Sequence, residues 1–353
     1  MKKIGFGKLG LAFAGSFLGA GYVSGQELWQ FFGSFGKNGI AGLCAAIALL
    51  FVMGVMMTRL NQLTGFADAD KLVVYRDSAP LRAAVVALES VFLFGVAVIM
   101  SAGVGALSNQ LFGLPLWVGS LVFIIVVSAI SLAGLSGMVS AFSLTVPVLV
   151  GVTLLFGVLS LIKGGFSMPD SASHGSNPLM SSWLIAAISF ACYNVFGSIA
   201  IVAPLGGHVK SKSHTYFGLG LGAALLFTIA VSVLISMGAY PDAVSAELPM
   251  LALASSLNEY LGYIYALLLL LAMFGTALSS LVAFTNLLCL KSKKLEANRI
   301  ALVIGCAVLV FFGSLFGFGD LIGVIYPIFG YLSSVFIILM AVHYYKVRKK
   351  VKA

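Results

Sequence analysis

Apolar residues run along the chain in long stretches separated by short polar gaps. Ten stretches reach the roughly 20 residues that a membrane-spanning helix needs: 7–34, 38–58, 82–108, 115–134, 138–162, 181–206, 215–239, 259–289, 299–318 and 321–345. Only helices and closed barrels satisfy their own backbone hydrogen bonds in hydrocarbon, and runs of this length predict helices. The predicted fold is therefore an all-α integral membrane protein with ten transmembrane helices.

The gap at 164–180, GGFSMPDSASHGSNPLM, is rich in Gly, Ser and Pro and reads as an exposed extracellular linker. It divides the chain into five spans in 1–163 and five in 181–353. Five is odd, so two halves sharing one fold must enter the membrane in opposite directions. The two long gaps, 59–81 and 240–258, follow the second span of each half and are long enough to hold a surface helix. The fifth span of each half carries one interior proline, Pro147 and Pro327. The first span of each half is interrupted by polar and glycine residues, GSFLGAGYVSGQELWQFFG at 15–33 and FACYNVFGSIAIVAPLGG at 190–207. Paired interruptions of this kind point to an inverted-repeat transporter whose site lies at mid-membrane, where the first and sixth helices are discontinuous.

Composition agrees: of 353 residues, 61% are hydrophobic and 9% charged, against about 25% charged in soluble domains. The net charge of +9 would suit nucleic acid, but its placement excludes that partner. With the N-terminus in the cytoplasm, Lys2, Lys3, Lys8, Arg59, Lys71, Arg76, Arg82, Lys210, Lys212, Lys291, Lys293, Lys294, Arg299 and the tail from Lys346 to Lys352 all fall inside. Only Lys37 and Lys163 fall outside, as the positive-inside rule requires. This places both termini in the cytoplasm of a multi-pass cell-membrane protein whose inner face attracts anionic lipids. The first stretch outruns a cleavable leader and lacks a small-residue cleavage site. Cys44, Cys192, Cys289 and Cys306 stand singly and read as packing residues. An intramembrane enzyme would need clustered His, Asp or Cys, but the four histidines lie in loops or near span ends, so no enzyme and no resident cofactor is expected.

Gly19, Gly21 and Gly25 favour unwinding, and Ser24 with Glu27 three residues on has the spacing of a capping box that restarts a helix. Bare amides at such a restart suit an anion, and carbonyls ending the preceding half-helix suit a cation. The competing reading is close packing, since Gly15–Gly19 and Gly21–Gly25 have GxxxG spacing. Tyr193 and Asn194 read either as ligand contacts or as packing and an interhelical hydrogen bond. Thr276, Ser279 and Ser280 share one helix face and could offer hard oxygens to an alkali cation, or serve as packing glue. Glu89, about 10 Å beyond Arg82, is a proton-coupling or gating candidate or a structural hydrogen-bonding group. Glu27 is cap, gate or amine contact, and the spacing favours the cap.

These residues resemble the amino acid, polyamine and organocation superfamily with the LeuT fold, and GAGYVSGQELWQFF is similar to YkvI-type amino acid permeases. LGAGY, residues 18–22, is similar to the unwound motif that takes the substrate carboxylate in that superfamily. ACYNVFGSI is similar to its sixth-span break, with Val195 and Gly197 departing from the pattern. The resemblance implies a symporter of a small amino acid or related amine. Its substrate would meet Ser16, Gly19, Ala20, Gly21, Tyr22, Tyr193, Asn194, Phe196, Gly197 and Phe284. KLGLAFAGSFLGAG also lines up with sodium-coupled neurotransmitter-type symporters, which implies a sodium ion held by the carbonyls of Gly15, Leu18 and Thr276 with Ser279 and Ser280. Sodium-independent relatives tend to carry a lysine in the fifth span, and 138–162 has none. Proton coupling or exchange through Glu27 or Glu89 is the alternative.

Overall fold

The computed structural model describes residues 3–75, 78–133, 145–164 and 177–352. In chain order its α-helices are α1 (Phe6–Phe17), α2 (Ala20–Ser24), α3 (Gln26–Phe31), α4 (Lys37–Thr64), α5 (Ala69–Val73), α6 (Ala79–Phe112), α7 (Leu116–Leu132) and α8 (Thr145–Gly164). They continue with α9 (Trp183–Val202), α10 (Lys212–Ala239), α11 (Pro249–Leu257), α12 (Glu259–Lys291), α13 (Lys293–Ala297), α14 (Arg299–Ser314) and α15 (Phe318–Lys352). Each apolar stretch coincides with helix. Residue 134 of the fourth stretch, 138–144 of the fifth, 165–176 of the linker, Lys2 and Arg76 lie outside the described residues. Both long gaps hold short helices, α5 in one and α11 in the other.

Among the described residues, six helices are long and apolar enough to cross a bilayer: Lys37–Thr64, Ala79–Phe112, Trp183–His208, Lys212–Ala239, Glu259–Leu290 and Phe318–Val351. Three shorter apolar ones span Leu116–Leu132, Pro147–Ile162 and Arg299–Ser314. Val122, Ile125, Ile304, Leu309 and Ile338 are exposed on these helices, an outer surface that suits lipid and not water. The chain is thus a multi-pass membrane protein.

Lipid tails are as apolar as the side chains they touch, so helices associate here by close fit. The α1–α10 crossing runs through glycines: a Cβ added at Gly10 would fall 2.7 Å from the Gly218 carbonyl oxygen, and one at Gly222 would fall 2.6 Å from that of Gly10. α6 and α7 meet at Gly105, where a Cβ would lie 2.5 Å from the Leu116 carbonyl oxygen. Four packing pairs have a counterpart when the two halves are exchanged. α1 packs on α10 as α9 packs on α4, α10 on α8 as α4 on α15, α6 on α15 as α12 on α8, and α14 on α6 as α12 on α7.

The sixth stretch corrects the sequence reading. α9 is unbroken through 193–197 and gives way to a 3-10 helix only at Ala203–His208. One glycine costs a helix about 1 kcal/mol, and two of the polar side chains here bond back to their own helix. Asn194 Nδ2 donates to the Phe190 carbonyl at 3.0 Å and Ser198 Oγ to that of Val195 at 2.9 Å. Gly197 is a packing glycine, since a Cβ there would meet the Phe92 ring at 2.7 Å. Pro204, which has no amide proton, stands where the α-helix ends.

Candidate functional site

The first stretch does come apart. α1 stops at Phe17, Leu18 (φ −78, ψ 67) and Gly19 (φ −80, ψ 172) leave helical geometry, and α2 restarts at Ala20. A second interruption follows at Gly25, whose φ of 88 is left-handed and favours glycine. At the end of α1 the Ala14 carbonyl accepts from Leu18 N (3.2 Å) and that of Phe17 from Gly19 N (2.8 Å). The Gly15 and Ser16 carbonyls are thereby left among the orphans of a helix end. A Cβ added at Gly15 or Gly19 would meet nothing within 4 Å, so neither glycine serves close packing. Gly15 is exposed and Ser16 and Gly19 partly so, whereas every residue from Ala20 to Trp29 is buried.

The capping box does not form. Gly25 holds the cap position of α3 without a side-chain bond; the Ser24 hydroxyl donates back to the Gly21 carbonyl at 3.0 Å and accepts only from Gln26 N, at a long 3.4 Å, with no reciprocal bond from Glu27. The left-handed turn puts Ser24 at the end of one helix when the box needs it at the start of the next. Glu27 is freed for another partner: Oε1 accepts from the Tyr193 hydroxyl of α9. Oε2 lies so close to Gly21 that a Cβ there would fall 2.7 Å away. The carboxylate therefore folds back toward the first break.

Aromatic rings surround this pair. Tyr193 stacks on Tyr326 of α15 (centroids 4.6 Å apart, planes 18° apart), with Phe31 and Phe190 at 5.6 and 5.7 Å from Tyr193. Tyr22 reaches across to α10, its hydroxyl donating to the Leu226 carbonyl at 2.7 Å. Tyr265 of α12 donates to the Val23 carbonyl at 2.7 Å and lies 3.1 Å from Thr153 Oγ1 of α8. The Gly25 turn has cost that carbonyl a helical partner, and Tyr265 supplies one. Tyr265→Phe leaves it bare, an expected loss of about 1–3 kcal/mol. Thermal unfolding in detergent checks this, and an unchanged Tm would mean that another group serves Val23.

Of the residues that the sequence singled out, Glu27, Gly21, Tyr193 and Asn194 come together. Phe196 packs instead toward Phe336 of α15, and Gly197 against Phe92 of α6. Phe284 lies against Phe94 of α6 and lines an apolar groove with Leu302 and Cys306 of α14. The Thr276 hydroxyl donates to the Ala272 carbonyl (2.9 Å) and Ser279 Oγ to the Thr276 carbonyl (3.0 Å), while Ser280 is buried. Glu89 is half-buried on α6, two turns from Arg82, which bonds Asp70 of α5 at 2.8 Å. Tyr265 and Tyr326 were missed. Tyr326 stands beside the interior Pro327, the one local signal that could have flagged it.

A polar knot closes the other side of α3. Glu247 Oε2 accepts from Gly319 N at 2.6 Å at the start of α15, where a Cβ on Gly319 would fall 2.6 Å from Gln26 Nε2. Gln110 Nε2 donates to the Leu248 carbonyl at 3.2 Å and Asn177 Nδ2 to that of Gly323 at 2.7 Å.

No family model matches the chain. Two Bacillus subtilis (strain 168) proteins are similar over nearly its whole length. The uncharacterized membrane protein YkvI is 24% identical over 334 residues, covering 94% of this chain and 93% of YkvI. The uncharacterized protein YyaD is 26% identical over 355 residues, covering 94% and 95%. Among solved structures, the inward-facing conformation of Mhp1 superposes with a TM-score of 0.64 at 15% identity, covering 99% of this chain and 78% of Mhp1. The manganese transporter of Eremococcus coleocola gives 0.60 at 14% (95% and 78% covered), and MhsT in complex with L-phenylalanine 0.58 at 17% (96% and 89%). These structural neighbours are transporters and not enzymes. The chain is thus similar over nearly its whole length to two Bacillus subtilis relatives, and it shares the fold of Mhp1 and MhsT.

Proposed function

We propose that this protein is a secondary transporter of a small amino acid or related amine that works by alternating access around the broken first span. One observation carries the reading: helix α1 ends in open space at Gly15 and Gly19, while the chain just beyond, from Ala20 on, is sealed. A break of this kind places backbone polar groups at membrane depth, which is tolerated only where they line a cavity or lie within protein. The four helix pairs with counterparts support an inverted repeat of five and five spans, because each of them maps onto its counterpart when every span is exchanged for the one five places on. With the N-terminus inside, the accessible end of the break faces the cytoplasm and the knot around Glu247 faces outward, a state closed outside and open inside. Mhp1 has been seen with bromovinylhydantoin bound and MhsT with L-phenylalanine, both small molecules carried on this fold.

Sodium is the proposed coupling ion. The Gly15 and Leu18 carbonyls at the break, the Thr276 carbonyl and the Ser279 and Ser280 hydroxyls are the oxygen donors that alkali ions take. Ser279 turns its proton to the Thr276 carbonyl and so keeps lone pairs to offer. Sodium bound there raises substrate affinity by reciprocal coupling. Uptake into proteoliposomes is expected to follow an inward sodium gradient and to fall by about tenfold or more without sodium, the usual range of such coupling. Uptake driven instead by acid outside and lost in Glu89→Gln would transfer the mechanism to protons. The buried carboxylate of Glu27 is the observation that keeps that second reading open.

A further inference from the structure

We propose that Glu27 receives the ammonium group of the transported molecule, so that the substrate is a primary amine in which a carboxylate is dispensable. The proposal rests on the reading of the first break as a transport site and names what binds there. Glu27 is 4% exposed. An ionised carboxylate has about four acceptor positions; the Tyr193 hydroxyl takes one on Oε1 and the Asn194 side chain is a second donor, which leaves positions open. Among the described residues the ion pairs join Lys71 to Asp68 and Arg82 to Asp70, and none reaches Glu27. Burying a carboxylate without a cation is expensive by several kcal/mol. A cation arriving with the substrate would remove that cost each time the site fills.

The surroundings favour an ammonium over a second anion. Oε2 stands beside Gly21, at the start of the segment that restarts after the break. Helix α2 has five residues and little dipole to offer a carboxylate, and Glu27 would repel one placed at the same amides. Tyr326, Phe31 and Phe190 pack around Tyr193, the hydroxyl partner of the carboxylate, and so supply apolar area next to the charged group for the body of a ligand.

The test uses the full chain in nanodiscs and three matched sets of probes: phenylalanine, phenethylamine and phenylpropionate; lysine, cadaverine and 6-aminohexanoate; norvaline, butylamine and valerate. Binding is read by calorimetry and by thermal shift, with sodium and without. At least one amine is expected to bind as tightly as its amino acid, with phenylpropionate and valerate inert. Glu27→Gln is expected to weaken that binding on the order of 100-fold, the loss typical of removing one partner from a buried charge pair. If Glu27→Gln does not fold, Glu27→Asp, which keeps the charge but withdraws it by one methylene, is expected to weaken amine binding by about tenfold. Amine binding unchanged in Glu27→Gln, or binding of phenylpropionate or valerate alone, would overturn the anchor while leaving a transport site standing. Stabilisation by sodium or by acid alone, lost in Glu27→Gln and indifferent to amines, would make Glu27 an ion or proton ligand and also overturn it. A protein that answers to no probe, sodium included, takes the transport reading down with the anchor.

Discussion

Gly330→Leu is expected to break the contact between α9 and α15 and to lower stability by about 3 kcal/mol or more, the upper end of overpacking costs. A Cβ at that position would fall 2.6 Å from the Ser189 carbonyl oxygen and 2.8 Å from its Cα. Backbone in mid-helix cannot step aside as a side-chain tip can. Ser189 is also tied across the same crossing, its Oγ donating to the Pro327 carbonyl at 3.3 Å. Since lipid supplies no hydrophobic force to press the two helices together, lost fit is not offset. Gly305→Leu on α14 is the control: a Cβ there meets nothing within 4 Å, and the change should stay within about 0.5 kcal/mol. Thermal unfolding of both variants in one detergent compares them. Equal melting would show that α9 and α15 do not cross at Gly330 and Ser189.

Gly21→Leu is expected to leave the protein folded and to lower transport on the order of 100-fold, a loss typical of unseating a buried charged partner. The new Cβ meets Glu27 Oε2 at 2.7 Å and Ile322 Cδ1 at 3.5 Å, both the far ends of flexible side chains. They can yield without moving backbone, and the stability cost is that of the broken Tyr193 bond, about 1–3 kcal/mol. What yields is the carboxylate, which must swing away from the break and from Tyr193. Gly21→Ala should show the same loss in milder form. Uptake by Gly21→Leu at the wild-type rate, with the variant folded, would remove the first break from the site.

Much of this architecture could be read from the residues. The ten apolar stretches each hold helix, and the glycines of 15–25 mark a real interruption because a chain that must leave helical φ and ψ needs residues without a Cβ. The capping box was misread for a local reason. Ser24 and Glu27 have the right spacing, but Gly25 turns left-handed between them, so the serine ends α2, reaches only Gln26 N at 3.4 Å, and Glu27 gives its carboxylate to Tyr193. The sixth span was misread for a similar reason. Asn194, Gly197 and Ser198 resemble a break on paper, yet each is absorbed, the first and last by their own helix and Gly197 by Phe92.

Glu27 and Tyr193 were both legible as candidates, but not as partners, since 166 residues separate them. Tyr265 shows the same limit: nothing near it in the chain announces that Val23, 242 residues away, lacks a hydrogen-bond partner.

Periodicity, length and charge placement are properties of neighbouring residues, and the sequence alone was enough for the membrane class, the helical stretches and the first interruption. Which polar groups meet in the middle depends on how helices from opposite ends of the chain cross. Those crossings are decided by side-chain fit at glycines such as Gly10, Gly222 and Gly330, and a fit between distant surfaces has no signature in either segment by itself.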